Sequence, residues 1–197
     1  STNVLCLNGV AGNYASAPNA APLQITGDID VRAMLSMPTW TPATVMIVIS
    51  KMQVAGNQCY EMYLDTAGKI LFGVSVDGTA TSYATSSAAT GFSAFSLNWI
   101  RATRASASGT VTFYTSQDGI TWVQLGTTQA TTAGAIFAGT NTLSIGAKAA
   151  GTFPLNGNLS RAQIYNGIAG TLVFDANFST ASKLAPSFTE SSSNAAT

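Results

Sequence analysis

A chain of 197 residues holds eight Lys and Arg, eight Asp and Glu and no histidine, so its formal net charge is zero. Only 8% of residues are charged, against about 25% in ordinary domains. A neutral surface has no electrostatic hold on phosphate backbones or anionic lipid, which argues against nucleic-acid and peripheral-membrane roles. The longest aliphatic run, Val45–Ile49, is too short to span a bilayer.

In chain order, strand-like runs fall at Val4–Leu7, Ile29–Leu35, Val45–Lys51, Cys59–Asp65 and Lys69–Val76. They continue at Leu97–Thr103, Val111–Ser116, Thr121–Leu125, Leu143–Ala147, Leu159–Tyr165 and Thr171–Phe178. In the last run Leu172, Phe174, Ala176 and Phe178 alternate with Val173, Asp175 and Asn177, the pattern of a strand with one buried face. Asp77-Gly78 and Asp118-Gly119 read as two-residue hairpins, and Asp65-Thr66-Ala67-Gly68 as a longer turn. The segments Thr79–Gly91 and Thr127–Gly139 are rich in Ala, Thr, Ser and Gly and read as loops or shallow strands. Many short antiparallel strands with such turns predict an all-β sandwich or barrel. A chain of this length buries roughly 70% of its unfolded surface and needs no staples. One domain is expected over 1–185, followed by a Ser/Thr/Asn-rich tail, 186–197, that lacks periodicity.

Several motifs follow one another in a telling order. Leu5-Cys6-Leu7-Asn8-Gly9 and Gly27-Asp28-Ile29-Asp30-Val31-Arg32 come first, then Trp99-Ile100-Arg101. The hairpin Gly109–Gly126 follows, with Phe113-Tyr114-Thr115-Ser116-Gln117-Asp118-Gly119 and Trp122. Ile145-Gly146 and Ala162-Gln163-Ile164-Tyr165-Asn166-Gly167 close the series. This order resembles the laminin-G-like, concanavalin A-type jelly-roll family, especially domains of bacteriophage head and tail proteins, which share the ending Ala176-Asn177-Phe178-Ser179. The resemblance implies an antiparallel jelly-roll sandwich used for binding and assembly.

Catalytic chemistry is sparse. Without histidine there is no Ser-His-Asp or Cys-His nucleophile. Glycoside hydrolysis needs paired carboxylates, yet the only glutamates are Glu61 and Glu190, and neither begins the Glu-x-Asp-x-x-Glu of related glucanases. Ser116–Trp122 is one residue short of a sialidase Asp-box and occurs once, so it reads as a hairpin turn before a core tryptophan. The expectation is a protein that is not an enzyme. Laminin-G-like domains often hold one calcium ion, and Asp28 and Asp30 form the one close acidic pair; the competing reading makes them turn caps and partners for Arg32 or Arg101. Sugar recognition uses aromatic faces. Trp99 and Trp122 read as core, while Trp40, in the Pro-bracketed loop Met37–Pro42, and Tyr14 and Tyr83, in further loops, are candidate ligand contacts. Cys6 and Cys59 fit no metal or redox spacing and read as small buried residues.

The chain opens Ser-Thr-Asn with no basic n-region, so if residue 1 is the biological start, folding in a host cytoplasm is expected. The functional expectation is a structural protein of a bacteriophage virion, decorating the head or forming part of the tail. Its expected partners are major capsid or tail proteins, further copies of itself in a homo-oligomer such as a trimer, and cell-surface glycans. The alternative is a carbohydrate-binding module or receptor-binding lectin domain.

Overall fold

The computed structural model describes residues 3–148, 151–181 and 187–193. Two antiparallel sheets pack face to face. The chain runs β1 (Leu5–Asn8), β2 (Ala15–Ala17), a 3-10 turn at Ala21–Leu23, β3 (Ile29–Ser36), β4 (Met46–Ser50), β5 (Tyr60–Leu64), β6 (Ile70–Ser75) and β7 (Thr81–Thr85). It continues with β8 (Asn98–Arg104), β9 (Thr110–Ser116), β10 (Val123–Gln124), β11 (Gln129–Ala130), β12 (Leu143–Ile145), β13 (Asn156–Asn166) and β14 (Thr171–Asn177).

The larger sheet is built on the order β13-β3-β8-β9. β1 and β14 pair with successive halves of the long β13, and β10 and β11 pair with β9. The second sheet runs β2-β12-β4-β5-β6-β7. Register explains the core. Phe174, Ile164, Val31, Ala102 and Phe113 lie opposite one another across five strands, and all are buried in the central cluster. Moving one residue along each strand gives Asp175, Gln163, Arg32, Arg101 and Tyr114, the opposite face. In the second sheet Ile145, Ile49, Met62, Phe72 and Ala84 supply the facing inner row. Tyr60 is buried between the sheets, and its hydroxyl donates to the Leu23 carbonyl at 3.2 Å.

Every predicted strand is present within a few residues of its predicted limits. The short edge strands β2, β7 and β11 lie in segments whose Ser, Thr and Ala composition carries little strand signal. Ile100, Phe113, Ile145 and Ile164 occupy the core. Trp99 is buried on the outer face of the larger sheet instead, opposite in parity to Ile100, and Trp122 is half-buried beside it in the turn before β10. Cys6 is exposed and Cys59 buried, and both are free thiols. The described part of the tail folds back on its own sandwich: Phe188 packs edge-on to Phe178 at 5.2 Å, and the Asp175 N–H donates to Glu190 Oε2. Residues 186 and 194–197 of that tail lie outside the described residues.

The Asp-Gly hairpins are wider than two residues. Ser75 pairs with Thr81, and Thr115 with Val123. Each carboxylate organises the wider loop by accepting two backbone N–H groups: Asp77 those of Thr79 and Ala80, Asp118 those of Ile120 and Thr121. Gly78 and Gly119 take the positive φ angles of 82° and 73° these loops require. The Thr79 and Ala80 N–H groups hold the exposed Asp77 carboxyl at about 2, and those of Ile120 and Thr121 also lower Asp118. A carboxyl depressed in the folded state stabilises above its unfolded value and loses that contribution as pH falls through the folded one. Thermal unfolding is therefore expected to lose stability progressively as pH drops from about 4 towards the value of Asp77, and Asp77→Asn is expected to flatten that decline.

Candidate functional site

A groove of about 460 Å³ lies on the outer face of the larger sheet. Met34, Leu97 and Trp99 form its apolar surface; Ser36, Asn158, Arg161 and Asn177 are among its polar groups. Four elements converge here, and one irregularity makes that possible. In β13, Leu159 pairs with Leu35 and Arg161 with Met34, so Ser160 is an extra residue bulged out of the ladder. Strict alternation would put Leu159 and Arg161 on the same face. The bulge leaves Leu159 in the core and turns Arg161 outward, into the groove with Asn158.

Arg161 is anchored there. Its Nε donates to Asp175 Oδ1 at 2.7 Å and its Nη2 to Oδ2 at 2.6 Å, a bidentate pair with a buried carboxylate. Trp99 is fixed from the side by the β9–β10 hairpin: its indole meets that of Trp122 edge-on at 6.2 Å. Gly119 approaches the same ring so closely that a Cβ there would lie 2.8 Å from it.

Beside the groove sits a charged network. Asp30 is fully buried, and Arg32 and Arg101 each donate Nε to its Oδ1 and Nη2 to its Oδ2, at 2.7 to 3.1 Å. The Ala169 N–H also donates to Oδ2. Both guanidinium groups lie near Trp122, at 5.4 and 5.3 Å from the ring centroid, with Arg32 also over Tyr165 and Arg101 over Tyr114. Burial pushes the Asp30 carboxyl up, but the hydrogen bonds and charges of the two arginines outweigh it and hold the group below the ordinary carboxylate range.

That network bears on Asp28 and Asp30 as calcium ligands. Both Asp30 oxygens already accept N–H groups and face two cations. Asp28 precedes β3 and accepts from the Ser106 N–H and hydroxyl at 2.7 and 3.0 Å. Among the described residues no three Asp, Glu, Cys or His gather as a metal site. A calcium ion needs six to eight oxygens, so Asp28 and Asp30 do not fit it. They serve as a loop anchor and as the partner of Arg32 and Arg101.

The expected aromatic contacts are dispersed. Trp40 is only 4% exposed: its loop folds inward and the indole packs edge-on to Phe92 at 4.7 Å, beside a smaller cavity of about 190 Å³. Tyr14 is half-buried just before β2. Tyr83 stands mid-strand in β7 on the outer face of the second sheet, not in a loop. Its ring crosses Gly73, where any Cβ would clash, and its hydroxyl donates to Glu61 Oε1 at 2.8 Å. Burial, then Glu61, raises the Tyr83 pKa. Leu97, Asn158, Arg161 and Asn177 escaped the sequence reading. The polar alternation of Asp175 and Asn177 was visible, whereas the bulge that admits Arg161 leaves no pattern of its own.

The geometry invites comparison with solved structures. The CBM40 domain of Ruminococcus gnavus IT-sialidase, bound to α2,3-sialyllactose, aligns with a TM-score of 0.56 at 11% identity, over 83% of this chain and 91% of that one. Domains LG4-5 of the mouse laminin α1 chain align at 0.58 and 12% identity, over 94% of this chain and 44% of that one. Full-length tailspike protein 2 of the Escherichia coli O157:H7 bacteriophage CAB120 aligns at 0.52 and 12% identity, over 92% of this chain and 30% of that one. The chain has the antiparallel two-sheet sandwich of these jelly-roll domains. No protein-family profile and no curated protein sequence matches it. At these identities the likeness is one of fold.

Removing the partner of two buried cations costs about 3–5 kcal/mol, so Asp30→Asn is expected to lower unfolding stability in urea by that order. Millimolar calcium is expected to leave the wild-type melting temperature unchanged.

Proposed function

We propose that this chain is a non-enzymatic glycan-binding domain carried on a bacteriophage particle, where it holds host-surface sugars. The observation that carries the reading is the groove on the larger sheet. Asn158, Asn177 and Ser36 offer paired donors and acceptors of the kind sugar hydroxyls need, beside the apolar surface of Trp99, Leu97 and Met34. Arg161, the one ionisable side chain among the described residues lining the groove, is already locked to Asp175 and so is a positioned donor rather than a general acid or base. A fold shared with a lectin domain solved with sialyllactose and with a phage tailspike is compatible with this reading; sites, not folds, carry function.

A second reading, an assembly role in a phage head or tail, draws on the β9–β10 hairpin. Ile120 and Val123 are largely exposed there, at the edge of the larger sheet, and little surface charge opposes association. Light scattering on the purified protein tests it: a trimer or larger species is the expected result, and dissociation on Ile120→Ser would place the hairpin at the contact.

For the principal reading, the purified protein is expected to retain a defined class of glycans on an array without releasing reducing ends. Asn158→Ala is expected to weaken that binding about three- to tenfold, the worth of one or two lost hydrogen bonds. No retained glycan, or an affinity untouched by groove substitutions, would overturn the assignment. Turnover of a bound glycan would overturn its non-enzymatic part.

A further inference from the structure

Phe95 occupies the third position of the turn Ser93–Ser96, closed by the Ser96 N–H on the Ser93 carbonyl, with φ of +60°. Turns with positive φ at this position ordinarily carry glycine or asparagine there, and a bulky residue is strained. Two hydrogen bonds dictate the backbone: the Phe95 N–H donates to the Met37 carbonyl at 2.7 Å, and its own carbonyl accepts from Ser36 Oγ at 2.9 Å. Glycine would make both bonds without strain. Nor does the ring serve the core, because Phe95 is 73% exposed. Folding alone therefore gives no reason for an aromatic residue here, while strained positions with exposed side chains gather at ligand sites.

The position supplies the reason. Ser36, which holds the Phe95 carbonyl, lines the groove, and so do Leu97 and Trp99 two and four residues further on. Phe95 thus adjoins the groove through the Ser36 hydroxyl that holds its carbonyl, with its exposed ring two residues before Leu97. We infer that Phe95 is a stacking residue of this groove and that the ligand it selects is a β-linked hexopyranoside. This inference rests on the glycan-binding reading above. In a β-glucoside the hydrogens on C1, C3 and C5 are all axial on one face, and a β-galactoside shares them, which gives a continuous C–H surface for an aromatic ring. An α-glycosidic oxygen interrupts that surface. The hydroxyl edge of the same ring is left to Asn158 and Asn177.

The test separates this role from a structural one and from the parent reading. Phe153 is a matched control: it too has positive φ, at +53°, and an exposed ring, but its carbonyl accepts from the Ile47 N–H in the second sheet, whereas that of Phe95 is held by the groove residue Ser36. Wild type, Phe95→Gly, Phe95→Tyr and Phe153→Gly are compared on a glycan array holding both anomers of methyl glucoside and galactoside and longer glycans. The glycan retained most strongly is then titrated by calorimetry, and each melting temperature is measured. The expected result is retention of β-linked sugars over their α-anomers and about tenfold weaker binding for Phe95→Gly, the loss of one aromatic contact. Phe95→Tyr and Phe153→Gly are expected to bind as wild type, with Phe95→Gly melting no lower than wild type. Equal loss in Phe95→Gly and Phe153→Gly, no loss in either, a markedly lower melting temperature for Phe95→Gly, or preference for α-anomers would each overturn the inference while leaving glycan binding in place. An array that retains no glycan at all would remove the parent reading as well.

Discussion

One buried carboxylate organises the outer face of the larger sheet. Asp30 takes both Arg32, its neighbour along β3, and Arg101 of β8, and it accepts the Ala169 N–H from the turn between β13 and β14. Two cations and one anion out of water are costly unless their hydrogen bonds are satisfied, and here each guanidinium makes a two-pronged contact. The paired arginines then support Trp122, which closes over both, and Trp122 braces Trp99 at the groove. The shape of the site thus depends on a charge that never reaches solvent.

The same economy runs through the rest of the chain. Low charge suggests a surface with little ionic character, and folding makes the surface poorer still, because Asp30, Lys51, Glu61, Arg101, Arg104, Asp175 and Glu190 are all buried. Lys51 Nζ donates to the Gly139 carbonyl and lies 4.0 Å from Cys59 Sγ, where burial lowers the amine pKa and raises that of the thiol. Arg104 pins the loop after β11 through Thr131, Thr132 and Gly134. On the second sheet Glu61 gathers Ser50, Tyr83 and Lys148. Charged side chains in this protein are mostly internal ties between strands and loops, which leaves an outer surface of Ser, Thr, Asn and scattered apolar groups. Such a surface suits hydroxyl-rich ligands and close neighbours better than polyanions.

The sequence by itself determined the layers. Alternation along β3, β8, β9, β13 and β14 sorted Val31, Ala102, Phe113, Ile164 and Phe174 to one side and Arg32, Arg101, Tyr114, Gln163 and Asp175 to the other. Burying one face of a pleated strand requires that period, so it is written locally. Turn chemistry was equally local, since an Asp followed by Gly organises its own loop. Tertiary structure decided what alternation cannot carry. The Ser160 bulge exists only against its partner strand, and it alone brings Arg161 round to Asn158. Trp40, bracketed by prolines in a short loop, was drawn inward because Phe92 from a distant segment offers an apolar partner. Tyr83 became a strand residue because Gly73 on the neighbouring strand leaves room for its ring to reach Glu61. Each of these placements rests on a contact between residues far apart in sequence, and the local pattern holds no record of the partner.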